Sequence, residues 1–144
     1  MTAAWGQTLQ IPPVTVNRDS ANILRLVFTG RPDQPVSAIQ WELVVPREFQ
    51  IEAADVVPGT AAESAGKSIS CSNRTTPKEG KVCLCVLIGG VRPIPDGAIA
   101  IVKFSTAADV TKGTASVRLQ KILGVSSDLK KLPVPDSTGA IKVQ

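Results

Sequence analysis

The segment from Val36 to Val45 alternates side chains with a period of two residues, and no other feature of the chain constrains its fold as strongly. One side of an extended chain receives Ile39, Trp41, Leu43 and Val45, and the other receives Ala38, Gln40, Glu42 and Val44. A helix would spread the four large apolar residues around its circumference, so the pattern predicts a half-buried strand. Pro46 cannot donate to a sheet ladder, and the strand must therefore end there or lie at an edge.

The remaining sequence repeats this kind of segment between turns. Its 144 residues contain eleven glycines and eleven prolines, a mixture typical of short strands joined by turns. We predict strands at Leu9–Val16, Ala21–Thr29, Val36–Val45, Gln50–Val57, Lys67–Cys71, Lys81–Ile88, Ala98–Ser105, Ala115–Ile122 and Ala140–Val143. With no convincing long helix, the chain is expected to form one all-β domain over residues 1–144, a nine-stranded sandwich, with residues 1–7 as a flexible tail.

Alternation assigns the faces of these strands. Several strands place apolar residues on one side and basic residues on the other, which predicts two inner faces packed into one core. Lys81–Ile88 differs, because Cys83, Cys85 and Leu87 lie on one side and Leu84, Val86 and Ile88 on the other. Its second apolar side is either a contact patch or a central surface covered by a loop.

Three cysteines, Cys71, Cys83 and Cys85, lie within fifteen residues. They offer three ligands and the chain has no histidine, so we predict no metal site and no cofactor. A hairpin over Lys67–Ile88, turning at Lys78-Glu79-Gly80, would place Cys71 opposite Cys83 or Cys85. Two outcomes remain open, one disulfide or three buried thiols, and a disulfide would indicate an oxidising compartment.

Composition argues against several functions. With neither histidine nor tyrosine, acid–base catalysis would rest on carboxylates and lysines, and the acids show no converging pair, so no enzyme is expected. The net charge of +4 is spread along the chain without interleaved aromatics, which argues against nucleic-acid binding. No apolar run is long enough to cross a bilayer, and no signal-peptide pattern is present at Met1–Gln10.

At this point the order of motifs resembles the cohesin domain, the receptor module of cellulosome scaffoldins. The similarity extends from about Thr15 to Val143. Its most specific parts are Ala38-Ile39-Gln40-Trp41, Pro58-Gly59-Thr60, the Asp96-Gly97 turn before a strand ending in Lys103-Phe104, Lys112-Gly113-Thr114, and Gly139-Ala140-Ile141-Lys142-Val143.

The resemblance implies a jelly-roll sandwich, located outside the cell or at its surface, that binds a dockerin-like module of a polysaccharide-degrading enzyme. Carried over by position, the contact candidates are Ala38, Gln40, Glu42, Leu84, Val86 and Gly89, and Ile88 extends their apolar centre. Direct polysaccharide binding is the alternative. It is weaker because sugars stack on exposed aromatic rings, whereas Trp41 belongs to the inner stripe.

Overall fold

The computed structural model describes residues 7–18, 21–51, 55–78, 80–106 and 113–144. They form two packed β-sheets and one short helix. The strands are β1 Thr8–Gln10, β2 Val14–Val16, β3 Ala21–Thr29, β4 Ala38–Val45, β5 Phe49–Gln50, β6 Val56–Pro58, β7 Ser68–Thr76, β8 Gly80–Ile88, β9 Gly97–Thr106, β10 Gly113–Val125, β11 Lys131–Pro133 and β12 Ser137–Val143, and helix α1 is Thr60–Ser64.

The two sheets differ in size and strand order. The five-stranded sheet has the order β1-β3-β9-β5, with β6 also paired to β9. The seven-stranded sheet has the order β2-β12-β10-β4-β8-β7, with β11 also paired to β10. All these pairs are antiparallel except β2 with β12. The predicted all-β sandwich of jelly-roll topology is confirmed, although its strands are more numerous than the nine expected.

The core lies between the sheets and uses the inner residues that alternation assigned. Trp41 is fully buried, as are Leu24, Leu26 and Phe28 of β3, Val117 and Leu119 of β10, and Ile141 of β12. The Phe49 and Phe104 rings stack with their centroids 5.5 Å apart. Burying a large apolar side chain stabilises the folded state by about 1.5–3 kcal/mol, so these inner residues are a main source of the domain's stability.

Two predicted strands are each divided in the structure. The predicted strand Leu9–Val16 becomes β1 and β2, which belong to different sheets, because Pro12 and Pro13 cannot continue a ladder. The predicted strand Gln50–Val57 becomes β5 and β6, separated by a segment that includes residues 52–54, outside the described part of the chain.

Two further elements were not predicted. They are α1 and β11, both too short to show a period. The predicted flexible tail lies largely outside the described residues, but Gln7 is buried, and its side-chain amide donates to the Gln34 carbonyl at 2.8 Å. The chain is thus already anchored at Gln7. None of the described residues forms a helix with the length and apolarity of a membrane span.

Candidate protein-binding site

The outer side of the seven-stranded sheet brings together the predicted contact residues. In the β4–β8 register, Gln40 lies opposite Val86 and Glu42 lies opposite Leu84. Directly opposed residues of an antiparallel pair point to the same side of the sheet, so the alternating positions of the two strands share one surface. We call this surface the outer face. On β7, Ser70 and Ser72 extend it, because they register with Val86 and Leu84.

The predicted contact residues differ in their solvent exposure. Gln40 is exposed and Ile88 is 50% exposed, whereas Ala38, Leu84, Val86 and Gly89 are half-buried. The second apolar side of β8 is therefore neither a fully covered surface nor a fully open one. It forms a shallow apolar centre bordered by the serines of β7 and by Gln40.

Glu42 departs from its predicted role as a polar contact residue. It lies on the outer face, but its side chain is only 7% exposed. Arg74 of β7 donates to both of its carboxylate oxygens at 3.2 Å, and the Gln120 amide of β10 donates to Oε1 at 2.8 Å. The Lys121 ammonium lies 3.9 Å from the same oxygen. The carboxylate is therefore engaged within the sheet.

This environment holds the pKa of Glu42 below its usual value. Burial acts in the opposite direction, because desolvation penalises the charged form. The hydrogen bonds from Arg74 and Gln120, together with the positive charges of Arg74 and Lys121, outweigh that effect. Glu42 is therefore an ionised carboxylate at neutral pH. Its hydrogen-bond donors come from strands on both sides of β4, namely β10 and β7.

A β-bulge in β10 adds residues to the outer face that sequence reasoning missed. Continuing the alternation from Val117 and Leu119 would turn Leu123 and Val125 into the core. The register to β4 shifts between Gln120 and Leu123, and Lys121 has a positive φ of 50°. An extra residue of this kind reverses the side of the sheet to which each following side chain points. Ile122 is consequently buried, while Leu123 and Val125 are half-buried on the outer face.

The loop after β8 lies beside the starts of β7 and β4 and exposes an apolar residue. It contains Val91, which is 73% exposed. Gly89 and Gly90 both have positive φ, 142° and 61°, a region that glycine occupies without steric cost. The buried Lys67 ammonium donates to the Gly89 carbonyl at 2.6 Å, and the Ser37 hydroxyl donates to the Val91 carbonyl at 3.2 Å. These contacts fix the loop beside the outer face.

The cysteines lie on the inner side of the same hairpin. β7 and β8 pair from Thr76 opposite Gly80 to Ser68 opposite Ile88, which confirms the predicted hairpin. Of the alternatives left open by the sequence, the structure has one disulfide, between Cys71 and Cys85, with a Cα–Cα distance of 4.1 Å. Cys83 is a buried thiol whose sulfur lies 3.6 Å from that of Cys85.

All three cysteine sulfurs lie within 4.8 Å of one another, the geometry of a possible metal cluster. The disulfide, however, removes two of the three as ligands. A single thiol does not fit a structural zinc site, which uses four N or S ligands.

The aromatic side chains do not form a sugar-binding platform in the described residues. Phe28, Trp41 and Phe49 are fully buried, and Phe104 is 3% exposed. Trp5, the fifth aromatic residue of the chain, lies outside the described residues. Stacking of a pyranose ring requires an exposed aromatic face, so the described sheets lack the main chemistry of direct polysaccharide recognition.

Solved structures similar to this architecture include several cohesin modules. The cohesin CaCohA2 of Clostridium acetobutylicum, solved with the dockerin CaDoc0917, has a TM-score of 0.77 at 19% identity, covering 96% of this chain and 99% of that one. The OlpA cohesin of Clostridium thermocellum, solved with the dockerin Doc918, has a TM-score of 0.75 at 14% identity, covering 96% and 99%.

A cohesin that is described as non-cellulosomal, from the archaeon Archaeoglobus fulgidus, has a TM-score of 0.70 at 15% identity, covering 96% and 91%. No protein-family model and no curated protein matches the sequence. The chain therefore has the cohesin fold, and at this sequence distance the likeness shows the fold alone.

Proposed function

We propose that the chain is a non-catalytic, cohesin-like module that captures a dockerin-like helical partner on its outer face, within an extracellular polysaccharide-degrading assembly. The observation that carries this proposal is the partly exposed apolar centre of Leu84, Val86 and Ile88 on the outer face of the sheet. Partly exposed aliphatic side chains ringed by polar groups are typical of a protein interface. A helix can bury such a centre along one side without entering a cleft.

Two further observations support the proposal. The matches to two cohesins that were solved with dockerins cover 96% of this chain. In those proteins, the same architecture binds a dockerin. The Cys71–Cys85 disulfide fits an oxidising compartment, in agreement with a location outside the cell. The buried aromatics favour a protein partner over a polysaccharide.

A displayed library of dockerin modules tests the proposal. Binders are selected against the wild-type chain and then measured against Leu84→Asp and Val86→Asp. Each substitution places a charge in the apolar centre, and we expect binding to fall by at least about a hundredfold, as for a central contact. Circular dichroism would verify that both variants keep the wild-type fold.

Ile23→Asp is the matched control, because Ile23 is 37% exposed on the five-stranded sheet. It introduces the same charge on the opposite side of the sandwich and should leave binding unchanged. The proposed function is wrong if no binder is recovered, or if the binders tolerate both Leu84→Asp and Val86→Asp.

A further inference from the structure

The outer face carries an excess of positive charge. Among the described strand residues that register with this face, the acid is Glu42 and the bases are Arg74, Arg118, Lys131 and Lys142. Lys121, in the bulge of β10, joins them because its ammonium lies 3.9 Å from the Glu42 carboxylate. The whole chain has a formal charge of +4, with sixteen bases and twelve acids, so this face is more biased than the molecule as a whole. The positive electrostatic potential of the outer face would attract carboxylates of a partner.

Glu42, the one acid among these described strand residues, is not available to a partner. The Glu42 carboxylate is 7% exposed and already accepts bonds from Arg74 and Gln120. The bases around it remain near solvent, since the side chains of Arg74 and Lys121 are 43% and 70% exposed. Glu42 thus organises the basic side chains but offsets only part of their charge.

Arg118 belongs to the same network. Its guanidinium donates to the Gln120 carbonyl oxygen Oε1 at 2.8 Å from one terminal nitrogen and at 3.1 Å from Nε. This bond orients the Gln120 amide so that its nitrogen faces Glu42. The ordered network holds Arg74, Arg118 and Lys121 in one cluster, which we call the basic cluster.

The basic cluster lies beside the apolar centre at a spacing that suits a helix. Glu42 is opposite Leu84 and Gln40 is opposite Val86, so the cluster begins at one end of the apolar centre. Two strand residues span about 7 Å, close to the roughly 6 Å between residues i and i+4 of a helix. A helix lying along β8 can therefore place an apolar residue on Val86 and a carboxylate, one turn away, at the level of Glu42, where the Arg74 guanidinium and the Lys121 ammonium lie.

From this arrangement we infer that the outer face selects a helical partner whose contact surface is acidic, with Asp or Glu about one turn from its apolar contact residues. The inference rests on the proposed function, and it adds the charge of the partner. Complementary charge of this kind raises the association rate and rejects like-charged competitors. The partner's helix would replace water around the basic cluster. The hydrogen bonds that Glu42 accepts within the sheet would not have to break.

The experiment uses a displayed dockerin library in which exposed helix positions vary among Asp, Glu, Lys, Arg and neutral residues. Binders to the wild-type chain should be enriched in Asp and Glu, and their affinity should fall as salt rises. Lys121→Glu should weaken them by about tenfold at low salt, because it reverses an exposed charge of the basic cluster. Arg74→Gln, which removes charge but keeps a donor, provides a second variant.

Lys103→Glu is the matched control, since Lys103 is exposed on β9 of the other sheet and should not affect binding. Binders that are lost with Leu84→Asp but show no acidic enrichment and tolerate Lys121→Glu would overturn the inference and leave the proposed function intact. Binders that tolerate Leu84→Asp, or a library that yields none, would overturn the proposed function and this inference with it.

Discussion

Arg74 donates to both carboxylate oxygens of Glu42 from across β8, the strand that lies between their own two strands. Gln120 reaches the same carboxylate from the opposite neighbour, β10. One acidic side chain therefore links β7, β4 and β10 above the backbone ladder. Because the carboxylate is buried and fully engaged, its removal should affect the stability of the sheet as well as its surface charge.

Glu42→Gln is expected to lower the free energy of unfolding by about 1–2 kcal/mol at pH 7. Hydrogen bonds to a charged group contribute roughly 1.5–3 kcal/mol, and the exposure of Arg74 reduces that figure through solvent screening. Urea unfolding followed by tryptophan fluorescence measures the change. Asp33→Asn is the control, because it breaks the exposed Arg31–Asp33 pair and should change stability by no more than about 0.5 kcal/mol. Equal effects of the two variants would contradict the structural role of Glu42.

The contribution of Glu42 should also depend on pH. Its pKa in the folded chain is lowered from 4.5, so between the two values the unfolded chain binds more protons than the folded one. The stabilisation is complete above pH 4.5 and is lost as the pH falls through the lower, folded value. We expect the stability difference between wild type and Glu42→Gln to be constant from pH 7 to about 5 and to shrink below 4.5. A difference that grows on acidification would reverse the sign and contradict the assignment.

Cysteine chemistry gives a separate prediction about the β7–β8 hairpin. Alkylation of the unfolded chain without reductant should modify Cys83 alone, and alkylation after reduction should modify all three cysteines. The bond joins cysteines 14 positions apart in the sequence, so Cys71→Ala with Cys85→Ala should lower stability by about 3 kcal/mol. Cys83→Ala keeps the cross-link and should cost less. Three modified cysteines before reduction would show that the disulfide is absent.

The buried thiol of Cys83 should be unreactive in the folded protein. Burial raises its pKa to about 11, and the thiolate is the form that reacts with disulfide reagents. Ellman's reagent should therefore label the folded chain slowly at pH 8 and faster as the pH approaches 11, whereas unfolded chain is labelled rapidly at both. Rapid labelling of the folded chain at pH 8 would contradict the burial of this sulfur.

The sequence alone predicted the parts of the fold that depend on a repeating local pattern. Alternation in Val36–Val45 places Trp41 in the core, and the predicted hairpin over Lys67–Ile88 is present as the β7–β8 pair. These features are encoded within a few residues of one another. The predicted contact residues of β4 and β8, which followed from the resemblance to cohesins, lie on one surface.

Features that depend on a backbone irregularity or on distant partners could not be predicted in this way. The bulge at Lys121 carries no sequence signal, yet it decides the side on which Leu123 and Val125 lie. Glu42 has the pattern of an exposed strand residue, and its burial arises from Arg74, 32 residues away, and Gln120, 78 residues away. Register across the sheet, which alternation within one strand does not determine, brings these residues together.

Lys67 provides a test of how the loop after β8 is held. The lysine is 5% exposed, its ammonium donates to the Gly89 and Gly90 carbonyls, and desolvation lowers its pKa. Lys67→Met keeps the apolar stem but leaves both carbonyls without this donor, so we expect a loss of about 1–3 kcal/mol. Hydrogen exchange of residues 89–94 should accelerate while that of β4 is unchanged. The exposed Lys103→Met is the control and should alter neither quantity, and unchanged exchange in Lys67→Met would show that the loop is held without its ammonium.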